Sequence, residues 1–193
     1  MKHANRNISI AALSRQKMKR SLGAYKCTIP GGGIKIIRRP AEFAADDTPS
    51  ITPVLHVVET MPEYDYVVLL QVTSPLRTAK DIDGCIERCL ANNVESCVSI
   101  CEAGASPYWM YTLSDQGIMH PILKPQPAAY QRQKLPKVYQ LNGAIYVATP
   151  SFLHRERSFI GSDTLGFVMS TAHSGDIDTL RDFEILEFLH SRN

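Results

Sequence analysis

The sequence predicts an α/β fold with a mostly parallel sheet, on three observations. Tyr66 to Leu70 is a continuous apolar run rich in β-formers, the pattern of a strand buried on both faces. A polar break at Thr73-Ser74-Pro75 follows it. Thr78 then stands three residues before Asp81, a capping box that opens an apolar-periodic helix through Ile82, Cys85, Ile86, Cys89 and Leu90. Finally, Asn92-Asn93 turns the chain into a second buried strand, Glu95 to Ile100. Helices alternating with buried strands are the mark of an α/β sheet.

The other elements follow in chain order. Ser9 to Leu22 reads as a basic helix, with Ile8, Ala11, Ala12, Leu13 and Met18 giving an imperfect apolar face. Ile29-Pro30-Gly31-Gly32-Gly33 breaks it, and Ile34 to Ile37 is a short strand leading into Arg39-Pro40. Ser50 is placed as the N-cap of a helix through Val54, Leu55, Val58 and Met61 that ends before Pro62. From Gly104 to Pro136, Pro107, Pro121, Pro125, Pro127 and Pro136 interrupt any long element, and Trp109, Tyr108, Tyr111 and Tyr130 accompany them. A stretch of that length inside a compact domain is usually functional or covers a partner. Strands resume at Ala144 to Ala148 and at Phe167 to Ser170. An amphipathic helix from Leu180 through Phe183, Leu186 and Leu189 closes the pattern.

At 193 residues, 44% of them apolar, the chain is long enough for one domain with a sizeable core. Its net charge of +2 hides an asymmetry, because no Asp or Glu precedes Glu42 while ten Lys or Arg lie before that point. A basic arm on an acidic body suits phosphates, nucleic acid or targeting. Aromatic residues are not interleaved with the basic ones apart from Tyr25, which speaks against nucleic acid. The arm has no long apolar run, so neither a secretory signal nor a transmembrane helix is expected there. Five cysteines without a secretory signal point to a reducing, cytoplasmic setting. Cys85/Cys89 and Cys97/Cys101 invite a four-cysteine metal site. However, C-x3-C spacing on a regular helix and strand favours core packing.

Asp176 and Asp178 are one residue apart, and in an extended segment such positions project to the same side. Two carboxylates so placed suit Mg²⁺ together with substrate phosphates, or else cap the last helix. Gln71, Thr73, Ser74 and Arg77 lie in a loop at the carboxyl end of a strand, where open α/β sheets bind ligands. The alternative is an ordinary βα turn whose hydroxyls satisfy only backbone groups. Arg132 presents a fork suited to a carboxylate or is simply solvated, and Asn142-Gly143 is equally readable as a hairpin turn.

Four segments in order carry a resemblance: RRPAEFAADDTPS (Arg38 to Ser50), LLQVTSPLRTAKDID (Leu69 to Asp83), RQKLPKVYQLNGAIYV (Arg132 to Val147) and SGDIDT (Ser174 to Thr179). Together they resemble the N-acylneuraminate cytidylyltransferases, the CMP-sialic acid synthetases. The resemblance implies a Rossmann-like sheet of the nucleotide-sugar transferase type. It also implies a homodimer built by an excursion over about residues 104–140 that reaches the neighbour's sugar pocket. The implied reaction transfers CMP from CTP to a nonulosonic acid and releases pyrophosphate. In the resembled family the aspartates matched by Asp176 and Asp178 hold Mg²⁺ at the catalytic centre. Gln71, Arg132, Asn142 and Tyr146 match positions at the sugar, Phe159 an aromatic near the acyl group, and Arg39 and Ser50 positions near the cytidine nucleotide. Many members carry a second aromatic after the one at Phe159, where this chain has Ile160.

The likeness begins at about Gly33. Family members open with a strand and a Gly-rich loop reading roughly IPARGGSKG, whose backbone approaches the triphosphate. Here Ile29 to Lys35 runs almost directly into Arg38, with no room for the intervening strand and helices. Residues 1–32 are thus expected to be a divergent basic segment and residues 33–193 a cytidylyltransferase-like domain, N-terminally truncated and with an exposed sheet edge. Two functions follow from this: a cytidylyltransferase, or a catalytically impaired relic that keeps sugar binding and dimerisation.

Overall fold

The computed structural model describes residues 8–13, 24–29, 33–38, 40–44, 49–61, 64–124 and 131–191, with the side chains of 8–13, 24–29, 33–35, 41, 44 and 132 outside the description. Its strands are β1 (Ile8–Leu13), β2 (Ala24–Ile29), β3 (Gly33–Arg38), β4 (Tyr66–Gln71), β5 (Ser96–Glu102), β6 (Tyr111–Leu113), β7 (Met119–Pro121), β8 (Tyr139–Ala148) and β9 (Leu165–Val168). The helices are α1 (Thr52–Thr60), α2 (Ala79–Ala91), α3 (Pro150–Glu156) and α4 (Leu180–His190).

Among the described residues, seven strands form one sheet in the order β3-β2-β1-β4-β8-β5-β9. The sheet is mixed, which corrects the expectation of a mostly parallel one. β1 pairs with β4 and β5 with β9 in parallel, whereas β8 runs antiparallel between β4 and β5, and β2 antiparallel between β1 and β3. The cause is local. Parallel neighbours need a crossover, usually helical, and among the described residues between β5 and β8 there is no α-helix. It returns instead through the β6–β7 hairpin, so β8 enters from the opposite end.

The central strand behaves as its sequence predicts. Every residue from Tyr66 to Leu70 is buried, and alternate side chains enter two cores. Val67 and Leu69 meet Val54 and Val58 of α1 and Phe152 and Leu153 of α3, while Tyr66, Val68 and Leu70 meet Cys85 and Cys89 of α2. Cys85 and Cys89 on α2 and Cys97 on β5 are buried free thiols of this second core, with Cys85 Sγ 3.8 Å from Cys97 Sγ, and Cys101 is a further buried free thiol. Thr78 caps α2 as expected: its hydroxyl accepts from Asp81 N, and the Asp81 carboxylate accepts from Thr78 N at 2.8 Å.

Three local expectations are corrected. Residues 8–13 form a strand and not the start of a basic helix. Unpaired N–H and C=O groups along an edge of β4 are costly, and a segment carrying β-branched Ile8 and Ile10 satisfies them by pairing from Ile8↔Tyr66 to Leu13↔Gln71. The basic segment therefore supplies two strands of the sheet and lies next to its centre. Ser50 is not the cap of α1. The N-cap is Ile51, without a side-chain bond, because Thr52 N donates to Pro49 O and starts the helix one residue later. The late strand is Leu165–Val168, two residues earlier than its apolar run indicated.

Candidate active site

The Thr73–Arg77 loop is held from within. The Arg77 guanidinium donates through Nη1 to the carbonyls of Gln71 and of Ser74, the latter at 2.6 Å. Burial lowers its pKa without a partner carboxylate. Arg77 is therefore committed to loop carbonyls and not presented to a ligand. The loop in turn holds the segment before α4. Thr73 O accepts from Ile177 N at 2.9 Å, and the buried Ser74 hydroxyl donates to Asp176 Oδ1 at 3.3 Å.

Facing this loop, β8 carries a bulge. Its register with β5 jumps from Val98↔Tyr146 to Ile100↔Leu141, so Ser99 alone faces residues 142–145. Gly143 sits there at φ +73°, a conformation that disfavours any side chain. A Cβ at Gly143 would lie 3.3 Å from Gln71 Oε1, 3.5 Å from Asp176 Oδ2 and 3.6 Å from Ser74 Oγ. Three polar groups from two other segments thus converge on one piece of bare backbone.

The result is a cleft of about 450 Å³ lined by Gln71, Gln140, Asn142, Gly143, Tyr146, Ser174, Asp176 and Asp178, with Leu141. It lies where the C-terminal end of β4 meets the N-terminal half of β8, and of Gln71, Thr73, Ser74 and Arg77 only Gln71 lines it. Asp176 and Asp178 both face the cleft. Helix capping does not use them, because Thr179 caps α4 and Asp182 completes that capping box. Tyr146 is half-buried, and burial, reinforced by the Asp176 charge, raises its phenol pKa.

The other expected site residues are placed differently. Phe159 is buried in the first core beneath the Tyr146 ring, centroids 5.4 Å apart, and does not line the cleft. Asn142 is only 5% exposed, and its amide is occupied within the protein. Ser50 is exposed in the turn before α1. Arg132 opens a 3-10 turn, Arg132–Lys134, but its side chain lies outside the described residues, as does Arg39. Sequence reasoning missed Gln140, Ser174 and Ser99, since a lone polar residue in a strand or just after a 3-10 turn gives no periodic signal.

The chain has relatives among known proteins. The chain is 33% identical over 151 residues to the N-acylneuraminate cytidylyltransferase of Streptococcus agalactiae, a match covering 78% of this chain and 36% of that protein. It is 32% identical over 132 residues to a CMP-N,N'-diacetyllegionaminic acid synthase of Legionella pneumophila, covering 67% and 56%. The chain is a homologue of the N-acylneuraminate cytidylyltransferases. It spans little more than a third of the length of the streptococcal relatives, but 71% of a Campylobacter coli post-translational flagellin modification protein B, at 28% identity over 170 residues and 85% of this chain. No protein-family model matches. Among solved structures, a CMP:2-keto-3-deoxy-manno-octonic acid synthetase complexed with CTP superposes with a TM-score of 0.53 at 14% identity, covering 76% of this chain and 70% of that one. That likeness shows a shared fold.

Proposed function

We propose that this cleft transfers CMP from CTP to a nonulosonic acid, releasing pyrophosphate. The observation that carries the reading is the convergence of Asp176, Asp178, Gln71 and Tyr146 on one cleft in a homologue of these enzymes. The anomeric hydroxyl oxygen of the sugar forms a bond to the α-phosphorus of CTP, the bond to the β-phosphate oxygen breaks, and the hydroxyl proton leaves to solvent or a base. Hard carboxylate oxygens suit Mg²⁺: Ser74 fixes Asp176 Oδ1, while Oδ2 lies toward Gly143. When bound there, Mg²⁺ would neutralise phosphate charge. Gln71 and Tyr146 orient the sugar, Arg132 pairs with its carboxylate, and Arg39 and Ser50 serve the cytidine nucleotide. Asn142 and Phe159 support the pocket from behind.

The apolar hairpin supports a homodimer. Tyr111 pairs with Pro121 and Leu113 with Met119, so these four share one ribbon face, and Tyr111, Leu113 and Met119 are exposed by 46%, 69% and 57%. A reducing cytoplasmic setting suits the buried free thiols. Among the described residues, no helix is long and apolar enough to cross a membrane.

One observation favours a second reading, a relic that binds sugar without catalysis. Among the described residues lining the cleft there is no Lys or Arg to balance a triphosphate. Pyrophosphate release from CTP with Mg²⁺ and a panel of nonulosonic acids separates the two. Release that Asp176→Asn and Asp178→Asn each reduce by about 10²-fold or more supports transfer. Sugar binding without release by folded protein supports the relic and sinks the transferase.

A further inference from the structure

We infer that Ser99 is a positioning residue for the Ser174–Asp178 segment, acting through Asn142. Ser99 lies on β5 and is buried at 2% exposure, and it does not line the cleft. The hydrogen-bond directions are fixed by donors that cannot accept. Ala144 N–H lies 3.2 Å from Asn142 Oδ1, so the carbonyl end of that amide faces it. Ser99 Oγ lies 2.6 Å from the same oxygen and 3.1 Å from Ile145 O, so its single hydrogen favours the shorter contact to Asn142, and it accepts from Ile145 N at 2.8 Å. The amide nitrogen faces the other way and donates to Ser174 Oγ at 2.9 Å, with Met169 Sδ at 3.4 Å. Ser174 Oγ passes its own hydrogen to Ser170 O at 2.7 Å.

One hydroxyl on β5 therefore orients the amide at the start of the β8 bulge, and that amide anchors the residue from which Gly175, Asp176 and Asp178 depart. With Ser99 and Ala144 N on its oxygen and Ser174 and Met169 at its nitrogen, Asn142 has no strong hydrogen-bonding capacity left for a ligand. It acts on the cleft by holding the carboxylate segment. The inference rests on the proposed transfer reaction only for its kinetic consequence.

The test is residue-resolved hydrogen exchange on the full chain. Ser99→Ala and Ser174→Ala should each speed exchange of Ile177 N–H by about tenfold, the effect of losing one buried hydrogen bond, with β4 amides unchanged. The double variant should be no faster than the faster single one, because both cut one relay. Ser174→Ala touches neither Ser99 nor Ile145, so it decides the matter if Ser99→Ala folds poorly. Unchanged exchange at Ile177 in both variants, or acceleration spread equally over β4, overturns the inference. Where the parent protein turns over CTP, both variants should lower kcat by about tenfold and leave KM for CTP within about twofold. A parent with no turnover counts against the proposed reaction alone, and the exchange data still decide the role of Ser99.

Discussion

At the scale of single residues, Gly143 has little freedom to change. Its positive φ makes Gly143→Ala unfavourable, and the new Cβ would also crowd Gln71 Oε1 at 3.3 Å. We expect a loss of about 1–2 kcal/mol from the left-handed conformation alone, read as a lower Tm, with loss of ligand binding in the cleft. Tyr146 gives a second residue-scale test. Its phenol pKa is raised in the fold, so its contribution is fully present below the unfolded tyrosine pKa and is lost as pH rises through the folded value. A difference titration between the parent protein and Tyr146→Phe should show a phenol ionising above the ordinary tyrosine range. Asp176→Asn should bring that ionisation down, because it removes the second cause of the shift and leaves burial, the first.

At the scale of elements, the cleft depends on how α2 and the loop before it are fastened. The Thr78–Asp81 box fixes the start of α2, and Asp81 Oδ2 also lies 3.0 Å from His173 Nδ1, beside the Ser174–Asp178 segment. Thr78→Ala removes a capping hydroxyl and should cost about 1 kcal/mol, measured by denaturant unfolding, with faster exchange in the first turn of α2. Arg77→Ala has a different expected outcome: the Gln71 and Ser74 carbonyls lose their donor, so the loop loosens and activity falls more than stability. The Thr78–Asp81 box was legible, since Thr-x-x-Asp precedes an apolar-periodic run. The bulge was not. Asn142-Gly143 is equally compatible with a hairpin turn, and only pairing with β5 on one side and β4 on the other makes it an insertion within a strand.

At the scale of the whole molecule, the basic N-terminal segment contributes to the sheet, with β1 covering an edge of β4 and β2 pairing beyond it. Deleting residues 1–38 would expose that edge to other chains. The truncated protein should aggregate or lose cooperative unfolding, as seen by light scattering and circular dichroism, whereas an independent basic tail would come off without effect. The apolar face of the β6–β7 hairpin sets a second expectation. Leu113→Glu with Met119→Glu should shift a dimer toward monomer in sedimentation velocity, with little change in Tm because both side chains are exposed.

What the sequence determined by itself was local or periodic. The buried run of β4, the two boxed helices and the i, i+2 spacing of Asp176 and Asp178 each depend on neighbours within a few residues, so composition and spacing specify them. Tertiary structure decided the rest. Whether Ile8–Leu13 becomes helix or strand depends on an edge of β4 that lies more than fifty residues away. The antiparallel direction of β8, the burial of Phe159 behind Tyr146, and the relay from Ser99 through Asn142 to Ser174 all join segments distant in sequence. Such contacts arise only when the sheet assembles, because hydrogen-bond partners and core neighbours are satisfied globally.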